Sequence, residues 1–198
     1  MPHLPHQFRL GRLWAALCVL SVGLAGGEPD TAAEYEVKAA MLVNFSKFVE
    51  WPDGSGPLTI GVIGRDPFGP SLDAVIREQR SATARPIVVR REAQLSKEPV
   101  HVLFIARSER RRMPELLGQV AGRAVLTVSD AEGFVRQGGM IEFTLEDDRN
   151  AHRVRFACNV KAAQKAGVRI SSRLLKLATV TVESGGGPAL VGGGGTQR

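Results

Sequence analysis

The chain has 198 residues, of which 43% are hydrophobic and 23% charged, a composition that fits an ordinary globular protein and excludes a disordered or fibrous one. Its 26 Lys+Arg against 20 Asp+Glu give a formal charge of +6, which raises nucleic acid as a partner only if those charges are suitably placed. The two cysteines, Cys18 and Cys158, exclude paired C-x-x-C zinc sites and a disulfide-dense module.

Residues 1–12 carry Arg9 and Arg12 without an acid and lead into the apolar run Leu13 to Ala25, which ends in small residues before Glu28. This layout predicts a signal peptide over 1–25, cut after Ala25 or Gly27, because the run falls short of the ~20 apolar residues of a membrane span. Leu17 stands before Cys18 where lipidation needs a small residue. Export would leave a formal charge of +4 and Cys158 as the single thiol, with no intramolecular disulfide. The folded domain is then expected over 30–183. Residues 184–198, with seven glycines, read as a structureless tail.

In the ordered middle, Thr31 and Glu34 have capping-box spacing and open a helix predicted to run to the Trp51-Pro52-Asp53-Gly54 turn. Its expected apolar stripe is Val37, Met41, Phe45 and Phe48. Leu58–Ile63 reads as a strand, Gly64–Pro70 as a loop, and Leu72, Val75 and Ile76 as a helix ending near Arg80. The runs Pro86–Arg91 and Val100–Ala106 fit strands buried on both faces. A helix through Met113, Leu116, Leu117 and Val120 precedes a strand over Ala124–Val128. Ser129 and Glu132 repeat the capping-box spacing before a helical turn closed by Gly138 and Gly139. Met140–Leu145 and Val154–Ala157 flank a predicted acidic turn at Glu146, Asp147 and Asp148, as in a hairpin. Asn159 caps a helix that Gly167 closes, and Ser171 or Ser172 caps a short one through Leu175 and Leu177. The pattern predicts a single three-layer α/β domain, its mixed, mostly parallel sheet flanked by helices.

Catalytic signals are missing. Gly61, Gly64 and Gly69 follow neither nucleotide-binding spacing, G-x-S-x-G and H-E-x-x-H do not occur, and His101 and His152 fall on a predicted buried strand and in a loop. The expectation is a protein that is not an enzyme and uses no metal or cofactor. Asp66-Pro67-Phe68-Gly69 reads as a plain turn or, at the carboxyl end of a strand, as a ligand contact. Arg107, Arg110, Arg111 and Arg112 are either a solvated surface or a docking surface for an anionic partner, since cations at a helix start oppose its dipole by up to about 1 kcal/mol. Nucleic acid is a poor partner, because no helix-turn-helix or aromatic-interleaved basic stripe is present. Cys158 reads as a buried inert thiol or an intermolecular disulfide.

The stretch from Glu34 to Pro52, EYEVKAAMLVNFSKFVEWP, resembles the opening of the YfiR family. IGVIGRDPFG at 60–69, RPIVVRR at 85–91, HVLFI at 101–105, VLTVSD at 125–130, GGMIEF at 138–143 and ISSRLLKL at 170–177 follow in the family's order. The resemblance covers about 34–182. It implies a periplasmic regulator that represses a membrane-bound diguanylate cyclase through that enzyme's periplasmic domain, lowering cyclic-di-GMP and disfavouring biofilm formation. An outer-membrane lipoprotein that sequesters it is a further implied partner; a homodimer is a separate expectation that the resemblance does not supply. Some relatives rely on paired cysteines for redox response, which a lone Cys158 does not supply. The alternative is a small-molecule-binding module serving a membrane partner, with its ligand in a cleft near Arg65, Asp66 and Ser171 or Ser172. Partner contacts are expected at Glu50, Trp51, Arg169 and Ser171, although Trp51 also reads as core and the serines as caps.

Overall fold

The first helix, α1, spans Thr31–Lys47 and stops short of the expected end at Trp51. Val49–Glu50 is drawn out instead as a two-residue strand, β1, immediately before the Trp51-Pro52 step that disfavours helix at the residue preceding proline. The buried stripe of α1 is also displaced from the expected one. Val37 is 47% exposed, and the core positions are Lys38, Ala39, Leu42, Val43, Phe45 and Ser46. Lysine fits there because its ammonium pairs with Glu34 one turn earlier and lies 4.5 Å from the centre of the Tyr35 ring. The computed structural model describes residues 31–51, 55–79, 85–148, 151–182 and 189–190. The expected leader and the side chain of Thr31 lie outside the described residues.

Beyond α1 the apolar runs build one sheet. β2 (Leu58–Ile63) is followed by α2 (Pro70–Glu78), then β3 (Ile87–Glu92) and β4 (Val102–Ile105), with β2 pairing in parallel with both β3 and β4. A 3-10 segment, Arg107–Arg112, leads into α3 (Met113–Gln119), and β5 (Leu126–Ser129) and β6 (Ile141–Asp148) extend the parallel row. β7 (Ala151–Asn159) returns antiparallel, with Ile141 opposite Cys158. The hairpin strands continue through Glu146, Asp147 and Asp148, so the predicted acidic turn is strand, and Glu146 pairs across it with Arg155 at 2.8 Å. After α4 (Val160–Lys165), β8 (Arg169–Ile170) pairs antiparallel with β1, and α5 (Ser172–Leu175) leads to β9 (Val180–Val182). β10 (Ala189–Leu190), inside the expected tail, pairs antiparallel with β9; the order of the larger sheet is β10-β9-β7-β6-β5-β4-β2-β3.

Side-chain alternation along the strands divides the core in two. Val102 and Phe104 join Ile60, Val62, Leu126, Val128, Ile141 and Phe143 beneath α1 and α2, whereas Leu103 and Ile105 face Met113, Leu116 and Phe134 on the other side. This is the expected three-layer α/β architecture. On the first face Phe45 stacks on Phe143 at 5.7 Å and meets Phe156 edge-on at 5.0 Å, tying α1 to the hairpin. Two expectations fail here. β3 is an edge strand with Val88 45% exposed, not a strand buried on both faces, because β2 is its neighbour on one side alone. Ser129 forms no capping box with Glu132. Its hydroxyl donates to the Ile105 carbonyl at 2.6 Å and accepts from Ala131 N–H, while the buried Glu142 carboxylate on β6 takes the Gly133 and Val135 N–H groups at 2.9 and 3.0 Å.

Candidate functional site

The sequence-derived candidates separate into two groups at opposite ends of the sheet, so Arg65 and Asp66 do not share a cleft with Ser171 and Ser172. Arg65 and Asp66 follow β2, and Arg107–Arg112 follow β4, which puts both at the carboxyl edge of the parallel strands. Trp51 sits at the amino edge, its ring meeting that of His101, the residue before β4, edge-on at 5.3 Å. Six strand residues lie between the two edges, about 20 Å at the usual rise.

At the carboxyl edge β2 lies between β3 and β4, so successive connections diverge there, the position at which open α/β sheets bind ligands. In this chain the two loops are pressed together. Gly64 has φ +93°, and a Cβ on it would lie 2.6 Å from Ser108 Oγ and 2.7 Å from Glu109 Cγ. Arg65 N–H donates to Ser108 Oγ at 2.9 Å. Asp66 is occupied twice, accepting from Phe68 N–H at 2.8 Å and from Arg91 Nε at 2.6 Å, while Arg91 also reaches Asp73 at 2.7 Å. These bonds make 66–69 a side-chain-held turn.

Asp130, just past β5, was not singled out in the sequence yet organises this edge. Its carboxylate is 1% exposed; it accepts from the Tyr35 hydroxyl at 2.6 Å and from Arg107 N–H at 3.0 Å, with the Arg107 guanidinium at 3.7 Å. Burial and the facing Asp130 carboxylate push the Tyr35 phenol above its ordinary range. The arginine cluster is therefore not uniform. Arg107 is steered by Asp130, and Arg112 pairs with Glu109 and Glu115 at 2.9 and 3.4 Å. Arg110 and Arg111 are exposed and make no ion pair among the described residues. The cluster occupies the 3-10 segment ahead of α3 and carries its own acids, so the helix dipole does not decide its role.

At the amino edge Glu50 and Arg169 face each other across β1 and β8, 3.5 Å apart and both largely exposed, a pairing worth about 0–1 kcal/mol. Trp51 is half-buried, its Nε1 donating to the Ser46 carbonyl at 2.9 Å. Ser171 N–H donates to the Phe48 carbonyl at 2.8 Å, and its Oγ caps α5 by accepting from Arg173 N–H at 3.2 Å, which leaves Ser172 as the first helical residue. Asn159 caps α4 as expected, accepting from Ala162 N–H at 2.9 Å.

Cys158 is fully buried with a free thiol on β7, and desolvation pushes its pKa from 9.0 up to about 12. The folded chain thus keeps a proton that the unfolded chain releases above about pH 9. Stability present below that pH is expected to fall as pH rises toward 12, by up to about 1.4 kcal/mol per pH unit. Urea unfolding at pH 8 and 10.5 checks this: Cys158→Ala should flatten the decline, and an equal decline in the variant contradicts it. In the native protein Cys158 should also resist alkylation until denaturant is added.

Among the described residues no helix is long and apolar enough to cross a membrane. Comparison of the fold with solved structures finds a distant likeness to the crystal structure of a conserved domain protein from Vibrio cholerae O1 biovar El Tor. The TM-score is 0.49 at 13% identity, over 75% of this chain, which spans 60% of that protein's length. In sequence, the profile of the YfiR/HmsC-like family matches residues 35–179, from the tyrosine that binds Asp130 to the residue before β9. With nearly all of the described α/β domain inside that match, the chain belongs to the YfiR/HmsC-like family.

Proposed function

We propose that this protein is a periplasmic regulator that represses a membrane-bound diguanylate cyclase by direct contact with the enzyme's periplasmic domain. The carrying observation is the family match over 35–179; the family is regulatory and periplasmic in general, and its members are associated with diguanylate cyclases. A repressor of this kind works by binding the inactive sensor more tightly than the active one. Driving a sensor from 99:1 to 1:99 takes roughly a 10⁴-fold preference. Of the candidate surfaces, the carboxyl edge supports this role best. There Arg110 and Arg111 are exposed, with no ion pair among the described residues, beside an Arg107 held in place by Asp130, a preorganised cationic face for an acidic sensor surface.

The test is recovery of a cyclase from detergent-solubilised membranes on the immobilised exported chain. Recovery is expected for the wild type, and Arg110→Glu with Arg111→Glu should weaken it about tenfold or more with stability unchanged to within about 0.5 kcal/mol. Recovery of no membrane protein counts against repression by contact. Undiminished recovery by the double variant moves the contact elsewhere, with Glu50, Trp51 and Arg169 at the amino edge the next surface to vary.

A further inference from the structure

We propose that the cavity between the end of α3 and α4 is a binding site for a small amphipathic organic anion, a carboxylate or phosphate monoester with an apolar body. This site is separate from the docking edge above and does not rest on the cyclase reading. The cavity has a volume of about 260 Å³, just under the 300–1,000 Å³ typical of small-molecule sites. Leu117, Val120 and Met140 supply its apolar wall, and Lys161 and Lys165 stand on α4 at its rim. Among the described residues no carboxylate lines it.

Two observations point to an anion. Lys161 and Lys165 lie four residues apart on one helix face, where like charges repel, and neither has an ion-pair partner among the described residues. An anion between them would relieve that repulsion. Thr127, 1% exposed, also lines the cavity. Its Oγ1 accepts from Met140 N–H at 3.1 Å, and among the described residues its hydroxyl proton has no acceptor. The contrast is Ser129, two residues on, whose hydroxyl both donates and accepts within the protein. The wall is also rigid: Asn159 is fixed by donating to the Val135 carbonyl at 2.9 Å and accepting from Ala162 N–H. A larger hollow of about 410 Å³ between α4, β8 and α5 lacks this arrangement, since its cation, Arg169, already faces Glu50.

The experiment is an amide NMR titration of the full chain with phenyl phosphate and with hexanoate, beside benzyl alcohol and inorganic phosphate as the separated apolar and anionic halves. Saturable shifts are expected at Val120, Thr127, Met140 and Ala162 with the amphipathic anions, at least tenfold tighter than with either half. Lys161→Gln with Lys165→Gln should raise the dissociation constant about tenfold and leave the remaining spectrum in place, as both lysines are exposed. Raising the salt concentration should weaken binding in the wild type more than in the double variant. The proposal is overturned if neither anion gives saturable shifts at these amides, if benzyl alcohol binds as tightly, or if the double variant binds unchanged.

Discussion

Replacing Glu34 with Ala is expected to destabilise the fold by about 3 kcal/mol, a large share of the stability of a domain this size. The carboxylate is the counter-ion of Lys38, whose side chain is 2% exposed in the layer between α1 and the sheet. Removing it leaves a buried ammonium without its carboxylate, beside the faces of Tyr35 and Phe143 at 4.5 and 5.9 Å. Lys38→Met should cost much less, within about 1.5 kcal/mol, because an apolar chain of similar volume needs no counter-ion and Glu34 lies near enough to the surface to hydrate. Urea unfolding of the two variants checks the ordering, with unchanged slopes as the control that the transition stays comparable. If Lys38→Met were the more damaging change, the pair would be stabilising in its own right.

The second large effect is expected at Asp130. Asp130→Ala strands the Tyr35 hydroxyl and the Arg107 N–H, and should cost about 2–3 kcal/mol. Tyr35→Phe removes one donor while the carboxylate keeps the other, so its cost should stay near 1 kcal/mol. The two changes share a bond, and a double-mutant cycle should return a coupling above about 0.5 kcal/mol. Under the proposed docking role the consequence extends to function, since Asp130 joins Tyr35 of α1 to Arg107 in the loop after β4. Weaker capture of the membrane partner by Asp130→Asn, with the protein still folded, is the corresponding binding result; undiminished capture separates Asp130 from the docking edge.

Much of this architecture is legible in the sequence because burial writes itself into local pattern. Leu58–Ile63 is a strand at its predicted bounds, and Val102–Ile105 is apolar throughout because helices cover both faces. Asn159 and Ser171 cap the helices that their side chains foretell. What stayed hidden depends on partners distant in the chain. Lys38 is buried on α1 with its ammonium 5.9 Å from the centre of the Phe143 ring, and in place of the Ser129–Glu132 box the Ser129 hydroxyl turns to the Ile105 carbonyl and the Ala131 N–H while Glu142, on a neighbouring strand, takes the Gly133 and Val135 N–H groups. The Glu34–Lys38 spacing is a local signal for the first; nothing local announces the second. Likewise Arg65, Asp66 and the serines carry similar chemistry, and only topology shows that a whole strand length separates them. The charge excess changes meaning in the same way, since Arg107 and Arg112 serve internal acids while Arg110 and Arg111 pair with none among the described residues.

The most direct test of the regulatory reading is cyclic-di-GMP output in cells lacking this chain, complemented with the wild type or with Arg110→Glu and Arg111→Glu. The level should rise on deletion, return with the wild type, and stay high with an exported and folded double variant. A level unmoved by deletion would contradict the regulatory reading.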